Sequence, residues 1–263
     1  MTINTMDQLV AGLSAGQQIP IVKYGSAVSG TPGWASYWII NGQPGAAATP
    51  PTGSGAVPTN ATSGAISFVN PSTGVAYLAG FRGQTGGTTC IILYDRLVHT
   101  SGLVGNINTL QTINSASVNR PDSTGIGAEL FIEMYAASGS GATNVTISYT
   151  NQAGTTGQVA TNGSQTIASL PIGQIVPMQL ASGDTGIRSV QSITLSTALA
   201  SAGNFGITIA RKIAVLPSSV QNTASSVDPF GLGLATIPNN ACLFPITFGG
   251  AQALFGMIQV AQG

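Results

Sequence analysis

Asn204-Phe205-Gly206-Ile207-Thr208-Ile209-Ala210-Arg211-Lys212-Ile213-Ala214-Val215-Leu216 is the stretch that decides the fold class. Phe205, Ile207, Ile209, Ile213 and Val215 fall on one parity, and Gly206, Thr208, Ala210, Lys212 and Ala214 on the other. A two-residue period sustained over this length predicts a half-buried antiparallel strand, with Ile207 and Ile209 in the core. Arg211 shares their parity and calls for an acidic partner, Glu129 or Glu133.

The same period recurs upstream. Leu130, Ile132 and Met134 alternate with Glu129, Phe131 and Glu133; Val145, Ile147 and Tyr149 alternate with Thr146 and Ser148. Thr89–Leu93 is β-branched and apolar. Turn sequences separate these runs at Ser138-Gly139-Ser140-Gly141, Asn151-Gln152-Ala153-Gly154, Asn162-Gly163 and Ser182-Gly183-Asp184. Short strands, frequent turns and no long helix predict an all-β protein, an antiparallel β-sandwich of jelly-roll-like type over residues 88–217.

The flanks read differently. Thr5-Met6-Asp7-Gln8 forms a capping box, followed by Leu9, Val10 and Leu13 at helical spacing and by Gly16 as a stop. The remainder of residues 1–87 is rich in Gly, Pro, Ala, Ser and Thr, and is expected to be an irregular arm with short strands. Its aromatic anchors, Trp34, Tyr37 and Trp38, either pack on the sandwich or anchor an interface. Residues 218–263 carry a single charge, Asp228, yet hold Phe230, Phe244, Phe248 and Phe255. Pro229, Pro238, Pro245 and several glycines argue against a central strand there. The expectation is an arm that docks on a neighbouring subunit through those phenylalanines. The uncharged run Ala241–Val260 is broken by Pro245 and Gly249-Gly250 and lacks flanking basic residues, so no membrane span is predicted. The N-terminus has no basic region or apolar run of signal-peptide type.

Composition narrows the function. Only 7 Lys+Arg and 7 Asp+Glu occur in 263 residues, with formal net charge zero, whereas about a quarter of an ordinary domain is charged. Seven cations with no cluster beyond Arg211-Lys212 argue against nucleic acid. A surface so poor in charge invites association, which closed symmetry would limit, so a homo-oligomer is expected. Cys90 and Cys242 have neither disulfide-framework nor zinc spacing and are expected as buried thiols. Asn60-Ala61-Thr62, Asn144-Val145-Thr146 and Asn162-Gly163-Ser164 are sequons that here signify only polar turns.

Catalytic motifs are weak. Gly12-Leu13-Ser14-Ala15-Gly16 matches a nucleophile elbow but sits at a helix end, not between strand and helix. The only triad it could enter would use Asp95 and His99. A single His excludes multi-histidine metal sites, and Asp95-Arg96 reads as a local ion pair or hydrogen-bonding hub. Glu129 and Glu133, four residues apart on one strand face, would lie ~13 Å apart, beyond the roughly 5–9.5 Å of glycosidase pairs. They read as a solvated or salt-bridged face, with Arg188 and Arg211 as partners. Asp184-Thr185-Gly186 matches an aspartic-protease motif but lies in a turn. No catalytic residue, cofactor or metal site is therefore assigned.

Three segments carry a family resemblance: Leu93-Tyr94-Asp95-Arg96-Leu97-Val98-His99-Thr100-Ser101-Gly102-Leu103, Ser148-Tyr149-Thr150-Asn151-Gln152-Ala153-Gly154 and Ser182-Gly183-Asp184-Thr185-Gly186-Ile187-Arg188-Ser189-Val190-Gln191-Ser192. They resemble structural proteins of tailed bacteriophages, over most of residues 1–216. The resemblance implies a virion location, a role as head decoration, cement or minor capsid protein, and the major capsid or other virion proteins as partners. It carries over no active-site residues. A tail or fibre component is the alternative within that class. A carbohydrate-binding sandwich, with Trp34, Tyr37 and Trp38 as a sugar-stacking platform, is the alternative outside it.

Overall fold

The structure is a computed structural model of the 263-residue chain and describes residues 3–25, 33–249 and 252–263. Helix α1 (Met6–Ser14) is followed by β1 (Gln17–Lys23), β2 (Trp34–Ser36), β3 (Gly42–Gln43) and β4 (Ala76–Thr85). Then come β5 (Thr89–His99), β6 (Gln111–Thr112), β7 (Ala128–Ala136), β8 (Val145–Asn151), β9 (Gln158–Thr161), β10 (Ile175–Pro177), β11 (Ile187–Leu195) and β12 (Asn204–Ser218). The chain closes with β13 (Ser225–Val227), β14 (Thr236–Ile237), β15 (Leu243–Phe248) and β16 (Leu254–Gln262).

The pairing of β5 to β12 is nested. β5 pairs with β12, β6 with β11, β7 with β10 and β8 with β9, all antiparallel. This is one long hairpin rolled up, and it yields the sheet orders β5-β12-β7-β10 and β6-β11-β8-β9. That order is a jelly roll, an antiparallel all-β sandwich. Between its sheets lie Ile132, Met134, Ile147, Tyr149, Ile193, Phe205, Ile207 and Ile209, all buried.

β15 and β2 extend the first sheet beyond β5. The sheet then curls until its edges touch: Ala35 is bridged to Gln174, and the Ser36 N–H donates to Gly173 O at 2.9 Å. A third sheet, β13-β4-β16-β1-β3 with β14 beside β4, interleaves N-terminal and C-terminal strands. Its inner face, Ile21, Leu78, Phe81, Ile258 and Val260, packs against Ile91, Leu93, Leu216 and Leu243 of the curled sheet. α1 lies on β16 so closely that a Cβ on Gly12 would come within 2.8 Å of Gln262 O. Its capping box forms between Thr5 and Gln8. Only Leu9 and Gly12 are buried from it, while Met6 and Val10 stay exposed.

Two expectations change. On β12, Phe205, Ile207 and Ile209 are buried as the period requires, but a bulge opposite Leu93 and Tyr94 then flips the parity. Ala214 and Leu216 turn inward, and Val215 is left exposed. The larger correction concerns residues 218–263, which are not an arm reaching elsewhere. β15 lies between β5 and β2, and β16 between β4 and β1. Pro245 is tolerated because its missing N–H lies on the side where β2 has just ended; there its carbonyl accepts the Tyr37 N–H at 3.3 Å. Residues 33–75 likewise lie on the body, burying Tyr37, Trp38, Ile66 and Phe68. Residues 26–32 of the expected arm, and positions 250 and 251 of the uncharged run, fall outside the described residues. No helix among the described residues is long and apolar enough to cross a membrane.

Ile209→Ala should cost about 2–5 kcal/mol in urea unfolding, through lost transfer energy and a cavity. Deleting residues 243–263 strips β5 and β4 of a partner each and should abolish the cooperative thermal transition. A deletion variant that still unfolds cooperatively would return this segment to the status of an arm.

Candidate functional site

The chain concentrates its polar chemistry inside the curled sheet. Asp95 and Arg96, neighbours on β5, point to opposite faces, as strand geometry demands. They therefore do not pair with each other. Arg96 points inward and is ion-paired to Glu133 of β7, both side chains wholly buried. Arg96 Nη2 also lies 2.8 Å from the Tyr135 hydroxyl and 2.9 Å from Thr208 Oγ1. Both hydroxyls donate to Glu133 Oε2, at 2.9 Å and 2.7 Å. Arg96 Nε donates to His99 Nδ1 at 2.9 Å, which places the histidine proton on Nε2. The guanidinium sits 4.5 Å from the Trp38 ring centre and 5.0 Å from that of Phe244, in cation–π range.

This environment decides the protonation states. Burial alone would raise the Glu133 carboxyl, but the Arg96 charge and hydrogen bonds outweigh it and hold it below the ordinary value. Burial, followed by the Arg96 charge, pushes His99 down to about 2, so it is neutral. Burial raises the Tyr135 hydroxyl well above its usual value. His99 is buried and held by Arg96, and the Glu133 carboxylate is locked in a buried ion pair. Their role is to join β5, β7 and β12 to the 34–38 segment.

Asp95, on the opposite face, makes a two-pronged pair with Arg120, at 3.0 Å and 3.2 Å, and accepts the Cys242 N–H at 2.8 Å. Arg120 Nη2 donates further to Pro58 O and Arg96 O, each at 2.9 Å. Lys23 is a third buried charge. It donates to Ile40 O at 3.0 Å and Pro44 O at 2.7 Å, and burial pulls it down to about 8. Neither Lys23 nor Arg120 stands out in the sequence, because each is a lone cation in an unpatterned stretch.

Several expected partners are corrected. Glu129 and Glu133 do not share a solvated face: Glu133 is interior, and Glu129 is half-exposed, paired with Lys212 at 3.0 Å and accepting from Tyr94 OH at 2.9 Å. Arg188 donates to Gln152 O instead, and the Arg211 charge acts on Asp122. Ser14 Oγ donates to Ala11 O at the exposed end of α1, while Asp95 and His99 are bound to Arg120 and Arg96, so the three form no triad. Asp184 accepts hydrogen bonds from Tyr149 OH and Asn151 Nδ2 of β8. Cys90 and Cys242 are free thiols, Cys242 raised to about 12 by burial. Among the described residues no three His, Cys, Asp or Glu side chains gather as around a metal ion.

The aromatic candidates divide. Tyr37, Trp38 and Phe244 are fully buried within this chain and Trp34 is half-buried, so the first two cannot join Trp34 in an exposed sugar platform. Phe230, Phe248 and Phe255 are 70%, 49% and 45% exposed. Phe255 belongs to the outer face of the third sheet. There, rows of directly paired residues run Val22–Phe255–Gln84, Pro20–Met257–Arg82 and Gln18–Gln259–Gly80. Arg82 is the one charge in these rows, and its Nη2 lies 3.5 Å from Met257 Sδ.

No family model matches the chain, and no curated protein matches it. Among solved structures it is similar to particles of infectious bursal disease virus. The Gt strain structure has 11% identity and a TM-score of 0.21, covering 94% of this chain and 81% of that one. The VP2 subviral particle has 11% identity and a TM-score of 0.23, covering 94% and 80%. T=1 particles derived from that virus have 10% identity and a TM-score of 0.23, covering 94% and 77%. Superposition at these scores is too poor to define the fold, which rests on strand order.

Acid should destabilise the protein through this cluster. His99 has a folded pKa depressed to about 2, against roughly 6.5 unfolded. The unfolded chain therefore takes up a proton that the native state refuses, and stability falls as pH drops below about 6.5, by up to about 1.4 kcal/mol per pH unit. Glu133 acts in the same direction at lower pH, because its contribution is lost as pH falls through its depressed folded pKa. In thermal melts between pH 7 and pH 5, His99→Gln should flatten the slope. Glu133→Gln should lower stability by about 3–5 kcal/mol by stranding Arg96.

Proposed function

We propose that this chain is a non-enzymatic structural subunit of a virion, a capsid-decorating or cementing protein that binds copies of itself and neighbouring shell proteins. The observation that carries the reading is the outer face of the third sheet, with Phe255, Met257, Pro20 and Val22 among glutamines and a single arginine. Five of the 14 charged residues, Lys23, Asp95, Arg96, Arg120 and Glu133, are buried. Nine charges therefore serve 10506 Å² of surface. An exposed face of this kind is the mark of a protein–protein contact. A second copy is the occupant favoured by its chemistry. Net neutrality removes long-range repulsion between copies, and glutamine amides both donate and accept, so the face complements itself. The jelly-roll order is common to capsid and lectin domains, which supports the reading by analogy only. The resemblance of residues 93–103, 148–154 and 182–192 to tailed-phage structural proteins points the same way.

Sedimentation at tens of micromolar should show a closed oligomer: a twofold dimer if this face pairs with itself, a trimer if the chain acts as a shell cement. Phe255→Asp combined with Met257→Asp should give monomers with an unchanged thermal transition. A wild-type chain that stays monomeric at that concentration would overturn the proposal.

A further inference from the structure

Beside the seam where β2 meets β10 lies a cleft of about 230 Å³. Trp34 lines it on one side; Gln165, Thr166, Ser169 and Gln174 line it on the other. Among the described residues, no Asp, Glu, Lys, Arg or His contributes to its wall. Trp34 is braced from behind by Phe248, 5.1 Å between ring centres, and by Phe131 at 6.4 Å. The opposite wall is also preset: Ser138 Oγ donates to Ile167 O at 2.6 Å and accepts the Leu170 N–H at 2.9 Å, while the Ser169 N–H donates to Gly139 O at 2.9 Å.

Gln174 is the telling residue. It is only 7% exposed, and its backbone is fully used: its N–H donates to Pro171 O and its C=O accepts from Met134. Its side-chain carboxamide makes no hydrogen bond to any described residue. A carboxamide brings two donors and an acceptor, and one that lines a cleft can offer hydrogen bonds of both kinds to a ligand there. Gln165 and Ser169, exposed on the rim, also have side chains without hydrogen bonds among the described residues.

These features select a ligand by exclusion. A phosphate, nucleotide or carboxylate would need a cation, and the wall has none. A purely apolar ligand would leave the Gln174 amide unpaired. An aromatic face beside an unpaired amide and hydroxyls suits a neutral molecule with a C–H face and hydroxyls at its edge. We infer that this cleft binds a neutral pyranose sugar, stacked on Trp34 and hydrogen-bonded to Gln174. The inference is independent of the assembly face, which uses a different sheet.

The chain has two tryptophans, and Trp38 is buried, so its indole signal serves as an internal control. Methyl glycosides of glucose, galactose, mannose and N-acetylglucosamine would be titrated to roughly 50 mM, the range of weak single-site binding, with the two indole N–H signals followed by NMR. The expected result is a saturable shift of the Trp34 signal with at least one glycoside, the Trp38 signal staying fixed. Trp34→Ala, followed by backbone signals of residues 165–174, should abolish binding, and Gln174→Leu should weaken it roughly tenfold or more. Gln165→Ala, on the exposed rim, tests the same cleft without risk to folding and should weaken binding severalfold. No saturable shift with any of the four glycosides would overturn the inference. So would saturable binding unchanged in both Gln165→Ala and Gln174→Leu or, should Gln174→Leu fail to fold, unchanged in Gln165→Ala.

Discussion

A guanidinium cannot be left alone in a protein interior, because the loss of hydration exceeds what packing returns. Arg96 is wholly buried, so the chain must bring its partners to it. Glu133 and Tyr135 come from β7, Thr208 from β12, Phe244 from β15 and Trp38 from the segment after β2. These elements span most of the sequence, and they can surround one point only if the sheet curls. The closure at Ala35 and Gln174 is the outcome. Arg96 Nη1, Glu133 Oε1 and Trp38 Nε1 find no hydrogen-bond partner among the described residues, which is the residual cost of placing a charge here.

The adjacent Asp95 does on the outer face what Arg96 does within. Its carboxylate gathers Arg120, and through it Pro58 O and Arg96 O, while accepting the Cys242 N–H at the start of β15. Two consecutive residues thus tie the jelly roll to segments on either side of it in sequence. Paired buried charges of this kind add little net stability over apolar packing, but they penalise any arrangement that separates them. In a chain whose other contacts are mostly interchangeable apolar ones, that penalty favours one register.

The jelly roll was legible because its strands alternate cleanly and its turns carry Gly, Asn and Asp. Ile207 and Ile209 lie where the period puts them. Past the bulge the period misleads, since an extra residue reverses the parity without leaving a mark in composition. β16 was illegible for another reason. Leu254, Ile258 and Val260 face inward, but the outward Phe255 and Met257 are apolar as well, so the alternation disappears. β15 was hidden by Pro245, whose tolerance depends on where a neighbouring strand ends. Of the ionic cluster, Asp95-Arg96 was legible as a hydrogen-bonding hub, but its partners were not. Arg96 and Glu133 are 37 residues apart, and nothing local distinguishes a buried carboxylate from a solvated one. The unpaired Gln174 and its cleft were equally invisible, because they depend on two strands meeting that lie far apart in the chain.

The third sheet adds a constraint of order. β1 and β4 come from the N-terminal flank, and β16, from the C-terminal one, lies between them. Pairings of such long sequence separation form late, since loop closure precedes the gain from contact. Until residues 254–263 insert between β1 and β4, the rows that carry Phe255 and Met257 do not exist. If those rows are the contact between copies, the contact can form only on a chain whose third sheet is complete. Association would then select for finished subunits, since a partly folded chain lacks the matching face and a folded one presents it whole.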